Sequence, residues 1–198
     1  DKEYEIAPFG FSDQQVTFCV VLKPDGSLHG IEDIRLKEHD RLRPRLLRVP
    51  GSTKDPGPGF NPGFLWDNSG YMLGYKPKDD NIERTKKSFV SFRDRHLADK
   101  HLINNSAFDA VCSFLAAWTP EHAHAYPVLD NVNPGYGVFQ ILGETRYIHD
   151  DPDIQAWWLK HLSETPSQHS GQCLITGVSG PIVETQPKIK RIGDQSEA

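Results

Sequence analysis

The first quarter of the chain alternates short apolar runs with turn residues, a pattern typical of antiparallel strands. Residues 16–22 form an apolar run, and Lys23-Pro24-Asp25-Gly26 places Pro and Gly where a tight turn uses them. This pattern predicts a hairpin whose returning strand covers residues 28–36. A short third strand is predicted at residues 46–49.

Further along, the apolar spacing changes from a strand period to a helical one. Residues 51–63 are dense in Gly and Pro, which predicts an irregular loop, and a strand is predicted at residues 73–75. Residues 81–101 mix apolar and charged positions and predict a surface helix, on which His96 and His101 are expected to face solvent. A further helix is predicted to follow and to end before Pro120. Its apolar face consists of Phe108, Val111, Cys112, Leu115 and Trp118.

The last third predicts a second hairpin, one helix and two strands. The hairpin pairs residues 137–142 with 146–148. Pro152 starts a helix after two aspartates, with a buried stripe at Ile154, Trp157, Trp158 and Leu162. The final strands are predicted at residues 172–176 and 182–185, around a turn at 177–181.

These elements predict an α+β fold, with mixed, mostly antiparallel sheets, several helices and an irregular Gly/Pro-rich loop. We expect residues 1–198 to form a single domain that is β-rich over 1–75, helical over 76–130 and mixed over 131–198. Since the sequence starts at Asp1 rather than at Met, we expect it to be part of a longer protein.

Composition narrows the class of protein. With 37% hydrophobic and 25% charged residues and a mean hydropathy of −0.55, the chain has the composition of a water-soluble domain. No apolar run approaches the roughly 18 residues that a membrane span requires. The three cysteines are widely scattered, which favours a reducing compartment, so a cytoplasmic protein is expected.

Charge divides the chain into basic and acidic stretches. Residues 35–54 carry seven basic side chains against two acidic ones, and residues 76–100 carry eight against five. Residues 119–170 carry seven acidic side chains against two basic ones, and the whole chain has a formal net charge of −5. Such runs are often ordinary solvated faces, but the first cluster of like charges favours a nearby anionic partner.

Motifs for catalysis and for metal binding are missing from the sequence. His122 and His124 are two residues apart, a spacing that places them on different sides of a helix, and no further ligand motif accompanies them. Cys19, Cys112 and Cys173 lie on strands or on an apolar helix face, without a cationic neighbour to activate the thiol. We therefore expect no catalytic residue, no metal site and no cofactor.

The segment 60–74 is the most informative part of the chain. It combines aromatic residues with three glycines and two asparagines, and basic residues precede and follow it. Glycine allows close backbone approach, and the side-chain amide of Asn can read base edges. Candidate DNA-contacting residues are therefore Asn61, Asn68, Ser69 and Gly70. Candidate phosphate-binding residues are Arg41, Arg43, Arg45, Arg48, Lys54, Lys76 and Lys78.

A purely structural explanation of the same segment stays open. Phe64, Leu65, Trp66 and Tyr71 have the composition of core residues, and residues 67–68 are typical of an Asx turn.

Several blocks of sequence, in order along the chain, resemble one known family. They are IAPFGFS at residues 6–12, RPRLLRVP at 43–50, FLWDN at 64–68, YMLG at 71–74, QCLITG at 172–177 and PKIK at 187–190. These blocks resemble the large subunit of the type I-C CRISPR Cascade complex, in its N-terminal domain. Gln186 and Arg191 depart from the pattern of that family.

The resemblance implies a non-catalytic subunit that recognises the protospacer-adjacent motif in double-stranded DNA and helps to start R-loop formation. Its implied partners are the target DNA, the crRNA, the other Cascade subunits and a recruited helicase-nuclease that cleaves the target. Guide pairing then reads the sequence beyond the motif.

Two other functions remain open from the sequence. The chain could be a protein- and crRNA-interaction module of the same complex without base readout, with Trp157 and Trp158 at an interface. It could also be a hydrolase or metal enzyme, in which case metal is expected near His122 and His124.

Overall fold

A computed structural model describes residues 7–51, 59–164, 170–172 and 179–181. The strands are β1 (Phe11–Leu22), β2 (Leu28–Asp33), β3 (Leu36–Glu38), β4 (Arg41–Arg43), β5 (Arg45–Pro50), β6 (Trp66–Asn68), β7 (Tyr136–Ile141), β8 (Ser170–Gln172) and β9 (Ser179–Pro181). The helices are α1 (Ser69–Met72), α2 (Ile82–Asp99), α3 (Ser106–Ala117), α4 (Val128–Asn131) and α5 (Pro152–Glu164), with 3₁₀ turns at Pro120–Ala125 and Ile148–Asp150.

The long strand β1 organises the main sheet. Its first half pairs antiparallel with β5, and its second half pairs with β2 and with β7. The β1–β7 pair is parallel, whereas β6 closes the sheet antiparallel to β7. Val16 is in register with both Arg45 of β5 and Tyr136 of β7, so the first residues of these two strands pair with the middle of β1.

Helices α2, α3 and α5 cover the sheet and bury its apolar residues. Phe18, Val20 and Leu22 of β1 belong to one core cluster with Phe92 of α2 and Leu115 of α3. A smaller cluster around Val49 and Trp66 lies between β1, β5 and β7. The α+β fold predicted from the sequence, with a mixed and mostly antiparallel sheet, is confirmed.

Most predicted elements are present. The β1–β2 hairpin, the third strand and the helices α2, α3 and α5 occur at the predicted places. The predicted α3 face is buried, as are Ile154 and Trp158 of α5, while Trp157 and Leu162 are half-buried against the same core.

Four predicted details are wrong. The returning strand ends at Asp33 rather than at residue 36, because the chain leaves the sheet there to form β3 and β4. Residues 73–75 are not a strand, because Asn68 starts helix α1 and Gly74 adopts a positive φ of 68° directly after it. Residues 146–148 form a single bridge, Gln140 to Tyr147, because the chain then turns to bury Ile148.

The fourth error lies at the C-terminal end. Residues 179–181 are strand β9, paired with β8, rather than part of a turn. The predicted strand segments 173–176 and 182–185 lie outside the described residues. In the part of the chain that the structure describes, no helix is long and apolar enough to cross a membrane.

Candidate nucleic-acid interface

The loop before β6 is held by one buried carboxylate. Asp67 is fully buried, and its two oxygens accept hydrogen bonds from the backbone N–H groups of Gly63 and Asn68, each at 2.8 Å. The indole N–H of Trp66 donates to the carbonyl of Pro50 at 2.6 Å. These bonds tie the segment 63–68 to the sheet and set the position of Asn68.

Asn68 has its amide oxygen occupied and its amide nitrogen available. Oδ1 accepts from the N–H of Gly70 at 3.0 Å and from the N–H of Tyr71 at 3.3 Å, which is the hydrogen bonding of a helix N-cap. No residue in the described ranges accepts a hydrogen bond from Asn68 Nδ2. The cap therefore fixes the orientation of the amide, and the NH₂ group remains as a donor.

The Asn68 side chain lines a surface cavity of about 670 Å³. Gln15 and Tyr136 line it from the sheet, and Lys76 lines it from the loop after α1. Pro44, Pro77 and Pro134 form apolar parts of the wall, and none of its described lining residues is acidic. Burial, with a contribution from the Asp67 carboxylate, raises the pKa of Tyr136, so its phenol stays neutral. The cavity thus offers neutral hydrogen-bonding groups and one cation.

The two neighbours of Asn68 that the sequence also selected are buried. Ser69 donates from its hydroxyl to Oδ1 of Asn133 at 3.1 Å, and a Cβ on Gly70 would lie 2.6 Å from Cε of Lys76. Ser69 and Gly70 thus position Asn68 and Lys76, which are the accessible members of this group. Asn61 is exposed, and its N–H donates to the hydroxyl of Tyr71 at 3.3 Å.

Some of the predicted phosphate-binding arginines already form ion pairs or hydrogen bonds within the chain. Arg43 pairs with Glu38 at 2.5 Å, and Arg48 pairs with Asp13 at 3.1 Å. Arg45 donates from Nε to the carbonyl of Ile34 at 2.6 Å.

The other basic candidates are at the surface where they are described. Arg41, Lys76 and Lys78 are exposed. Lys54 lies outside the described residues. Of the predicted cations that the structure describes, only Lys76 lines the cavity together with Asn68, and Arg43 and Arg48 are already paired with carboxylates.

The aromatic residues of segment 60–74 mainly form the core. Phe64, Leu65 and Trp66 are at most 1% exposed, as the structural explanation of this segment predicted. Phe64 stacks on Trp158 at a ring distance of 5.1 Å, and Tyr71 is half-buried.

The expectation that His96 faces solvent is wrong. His96 is fully buried, because it follows Phe92 by one helical turn on the stripe of α2 that packs inward. Its Nε2 accepts the N–H of Leu65 at 3.0 Å, and its Nδ1 lies 2.7 Å from the carbonyl of Phe92. His101, by contrast, is exposed.

The residues considered for catalysis and metal binding are not brought together. His122 and His124 are exposed, and no group of three or more potential metal ligands occurs in the described ranges. Burial raises the pKa of both Cys19 and Cys112 to about 12, so these thiols stay protonated. Cys173 lies outside those ranges.

The cavity residues that come from other parts of the chain are not indicated by the sequence. Gln15 and Tyr136 reach the cavity because β1 and β7 are neighbours, which a single sequence does not reveal. One signal was available: the tripeptide Asn133-Pro134-Gly135 before β7 repeats Asn61-Pro62-Gly63, which precedes β6.

The fold and site define a mixed α+β protein with an oriented amide in a surface cavity, next to the exposed Lys76. The chain belongs to a family of CRISPR-associated proteins, Cas_Csd1, whose sequence model matches residues 1–198. A comparison with curated proteins finds no match.

Proposed function

We propose that this chain is the DNA-recognition part of the large subunit of a type I-C CRISPR Cascade. In this role it binds double-stranded DNA, recognises the protospacer-adjacent motif and helps to start R-loop formation. Its membership of a CRISPR-associated family supports a role beside crRNA and other subunits of such a complex. The chain performs no catalysis, and a recruited helicase-nuclease cleaves the target.

The oriented amide of Asn68 carries this proposal. A side chain whose geometry is fixed before binding loses less conformational entropy on contact than a mobile one, so its hydrogen bond contributes more to affinity. Since Oδ1 is occupied by the cap, Asn68 presents a donor, which matches the acceptor atoms that base edges display. Phosphate contacts come from Lys76, Lys78 and the exposed arginines, which act on every sequence alike.

A negative net charge is compatible with this function. At physiological salt, exposed charges are screened beyond about 8–10 Å, so the local charge near the DNA decides the interaction. The acidic stretch 119–170 then faces away from the DNA or contacts a basic neighbouring subunit.

The test separates base readout from phosphate binding. Asn68→Ser keeps a side-chain oxygen that can cap α1 but removes the amide donor. We expect it to reduce the preference for motif-containing duplexes by about ten-fold, because one lost base contact has that size. Arg45→Ala should weaken binding to all duplexes about equally. It should also make the slope of log binding constant against log salt concentration shallower by about one. Binding is measured by fluorescence anisotropy with the assembled complex at several salt concentrations.

The matched control is Asn104→Ser, at an exposed asparagine that does not line the cavity. It should leave both affinity and motif preference unchanged. If Asn68→Ser and Arg45→Ala change all duplexes by the same factor, the assignment of base readout to Asn68 is wrong.

A second candidate function is a protein- and crRNA-interaction module without base readout. The half-buried Trp157, stacked on His161 at a ring distance of 4.9 Å, favours it, because aromatic residues are enriched at the centres of interfaces. Normal assembly of the complex without any motif preference would support this alternative.

A further inference from the structure

The strands β3 and β4 form an exposed two-stranded ribbon. All six of their residues are exposed, and both leucines, Leu36 and Leu42, expose 51% of their surface. A two-stranded ribbon is only marginally stable by itself in water. An exposed ribbon that carries basic and apolar side chains therefore has the properties of a binding element.

The ribbon leaves and rejoins the sheet at neighbouring positions. Ile34 donates its N–H to the carbonyl of Thr17 at 3.0 Å, while Arg45 is in register with Val16, the preceding residue of β1. The guanidinium of Arg45 also contacts the carbonyl of Ile34 at 2.6 Å. Residues 36–43 thus form an insertion whose removal keeps the Arg35–Asp33 ion pair, Pro44 of the cavity wall and the pairing of both flanks with β1.

Cross-strand register divides the ribbon side chains between two faces. Lys37 is directly opposite Leu42, so these two side chains share one face. The other face carries Leu36, Glu38, Arg41 and Arg43, and there Arg43 pairs with Glu38. The face of Lys37 and Leu42 carries no carboxylate from the two strands, whereas the opposite face carries Glu38.

The base of the ribbon adjoins the Asn68 cavity. Pro44, the residue after β4, lines that cavity together with Asn68 and Lys76. A ligand that contacts Asn68 therefore passes close to the point where the ribbon leaves the sheet.

We propose that the ribbon lies in a groove of the target duplex beside the motif, with the face of Lys37 and Leu42 toward the DNA. This inference rests on the proposed function. The major groove is about 12 Å wide and admits a two-stranded ribbon. Lys37 contacts phosphate, and Leu42 makes apolar contact with base edges, such as the methyl group of thymine. Glu38 lies on the opposite face, away from the phosphates. Because Arg41 and Arg43 share that face with Glu38, they contribute less to DNA binding than Lys37.

The first test removes the ribbon. Residues 36–43 are replaced by a short Gly-rich link, which keeps Pro44 of the cavity wall, in the otherwise complete chain, assembled with its guide RNA and partner subunits. We expect the thermal unfolding midpoint to stay unchanged and affinity for duplex DNA to fall by about ten-fold or more, because phosphate and apolar contacts are lost together.

The second test compares the two faces with matched pairs of variants. Leu42→Ser should weaken duplex binding by roughly three- to ten-fold, whereas Leu36→Ser, equally exposed on the other face, should leave it unchanged. Lys37→Gln should make the slope of log binding constant against log salt concentration shallower by about one, and Arg43→Gln should change this slope less.

The outcomes separate this inference from the proposed function. Equal effects on the two faces, or unchanged affinity after ribbon removal, would overturn the inference, while a loss of motif preference in Asn68→Ser would still support the proposed function. If ribbon removal blocks assembly with guide RNA or subunits, the ribbon binds those partners and not the duplex. If the unmodified complex shows no preference among duplexes, both proposals are wrong.

Discussion

His96 is buried between Phe64 and Phe92 and supports a backbone position with a positive φ. Its Nε2 accepts the N–H of Leu65, a residue with φ of 62°, so the proton lies on Nδ1, which donates to the carbonyl of Phe92. Burial lowers the pKa of His96 from 6.5 to about 3, and a minor contribution comes from the nearby charge of Arg95. The neutral ring is therefore part of the folded structure.

We expect this histidine to make stability depend on pH. Between pH 6.5 and about 3 the unfolded chain binds a proton at His96 that the folded chain does not bind, so the free energy of unfolding falls as pH decreases. The contribution is at most about 1.4 kcal/mol per pH unit. Urea unfolding at a series of pH values should show a shallower dependence for His96→Gln than for the unmodified protein.

The control for this prediction is His101→Gln, at an exposed histidine just beyond the end of α2. It should keep the full pH dependence. His149, whose pKa burial lowers to about 4, contributes a dependence of the same sign in all three proteins. Identical slopes for His96→Gln and the unmodified protein would contradict a neutral, buried His96.

Residue burial could be predicted where apolar residues repeat with a clear helical period. It could not be predicted where the buried stripe contains polar residues among many charged ones. The α3 stripe could be read directly from its spacing, and it is buried. On α2 the same spacing runs through Thr85, Ser88, Phe89, Phe92 and His96, but polar residue types and the surrounding charges concealed it. The signal was the position of His96 four residues after Phe92.

At the scale of elements, the short strand β6 and helix α1 depend on the Asp67 carboxylate. It accepts two backbone N–H groups in a fully buried position and so holds the loop that presents Asn68. Gly63 is needed in the same loop, since a Cβ there would lie 2.0 Å from the carbonyl oxygen of Trp66.

We expect Asp67→Asn to lower the free energy of unfolding by about 2 kcal/mol. The amide has one acceptor atom where the carboxylate has two, so its NH₂ group faces a backbone N–H and leaves that donor unpaired. Asp80→Asn, at an exposed position, should change stability by less than about 0.5 kcal/mol. Chemical denaturation of the two variants measures the difference, and equal stabilities would exclude the proposed role of Asp67.

Element boundaries could be predicted where a strong local signal exists. Pro152 after two aspartates located the start of α5, and the turn 23–26 located the first hairpin. The strand predicted at residues 73–75 failed because the N-cap at Asn68 is a more decisive signal than the apolar run that follows it. The ribbon β3–β4 was missed because its charged residues lack the apolar alternation of a half-buried strand.

On the scale of the whole molecule, helix α5 connects the start of the sheet to the helical layer. Trp158 donates its indole N–H to the carbonyl of Gly10 at 2.7 Å and stacks on Phe64. Arg95 of α2 lies 5.7 Å from the same ring. One side chain thus links the residue before β1, the loop before β6 and two helices.

We expect Trp158→Phe to cost about 2 kcal/mol of stability, because it leaves the Gly10 carbonyl without its donor and a small void beside Phe64. Trp157→Phe, the same substitution at the neighbouring half-buried position, should cost roughly 1 kcal/mol or less. Calorimetry of both variants tests this. A larger loss for Trp157→Phe would show that the wrong tryptophan has been assigned this role.

The overall arrangement could be predicted only in part. Charge distribution along the sequence indicated basic surface in the first half, and Lys76 and the ribbon arginines are indeed exposed. The cavity could not be predicted, because Gln15, Asn68 and Tyr136 meet only after β1, β6 and β7 have paired.

The parallel pairing of β1 with β7 has a consequence for biosynthesis. The hydroxyl of Thr17 in β1 bonds to the carbonyl of Val132, 115 positions later, and β7 begins only after that residue. At ordinary translation rates, on the order of ten seconds pass before a ribosome has added this stretch. For that time the backbone N–H and C=O groups along one edge of β1 lack their partner strand, which leaves this edge open to pairing with other chains until β7 emerges.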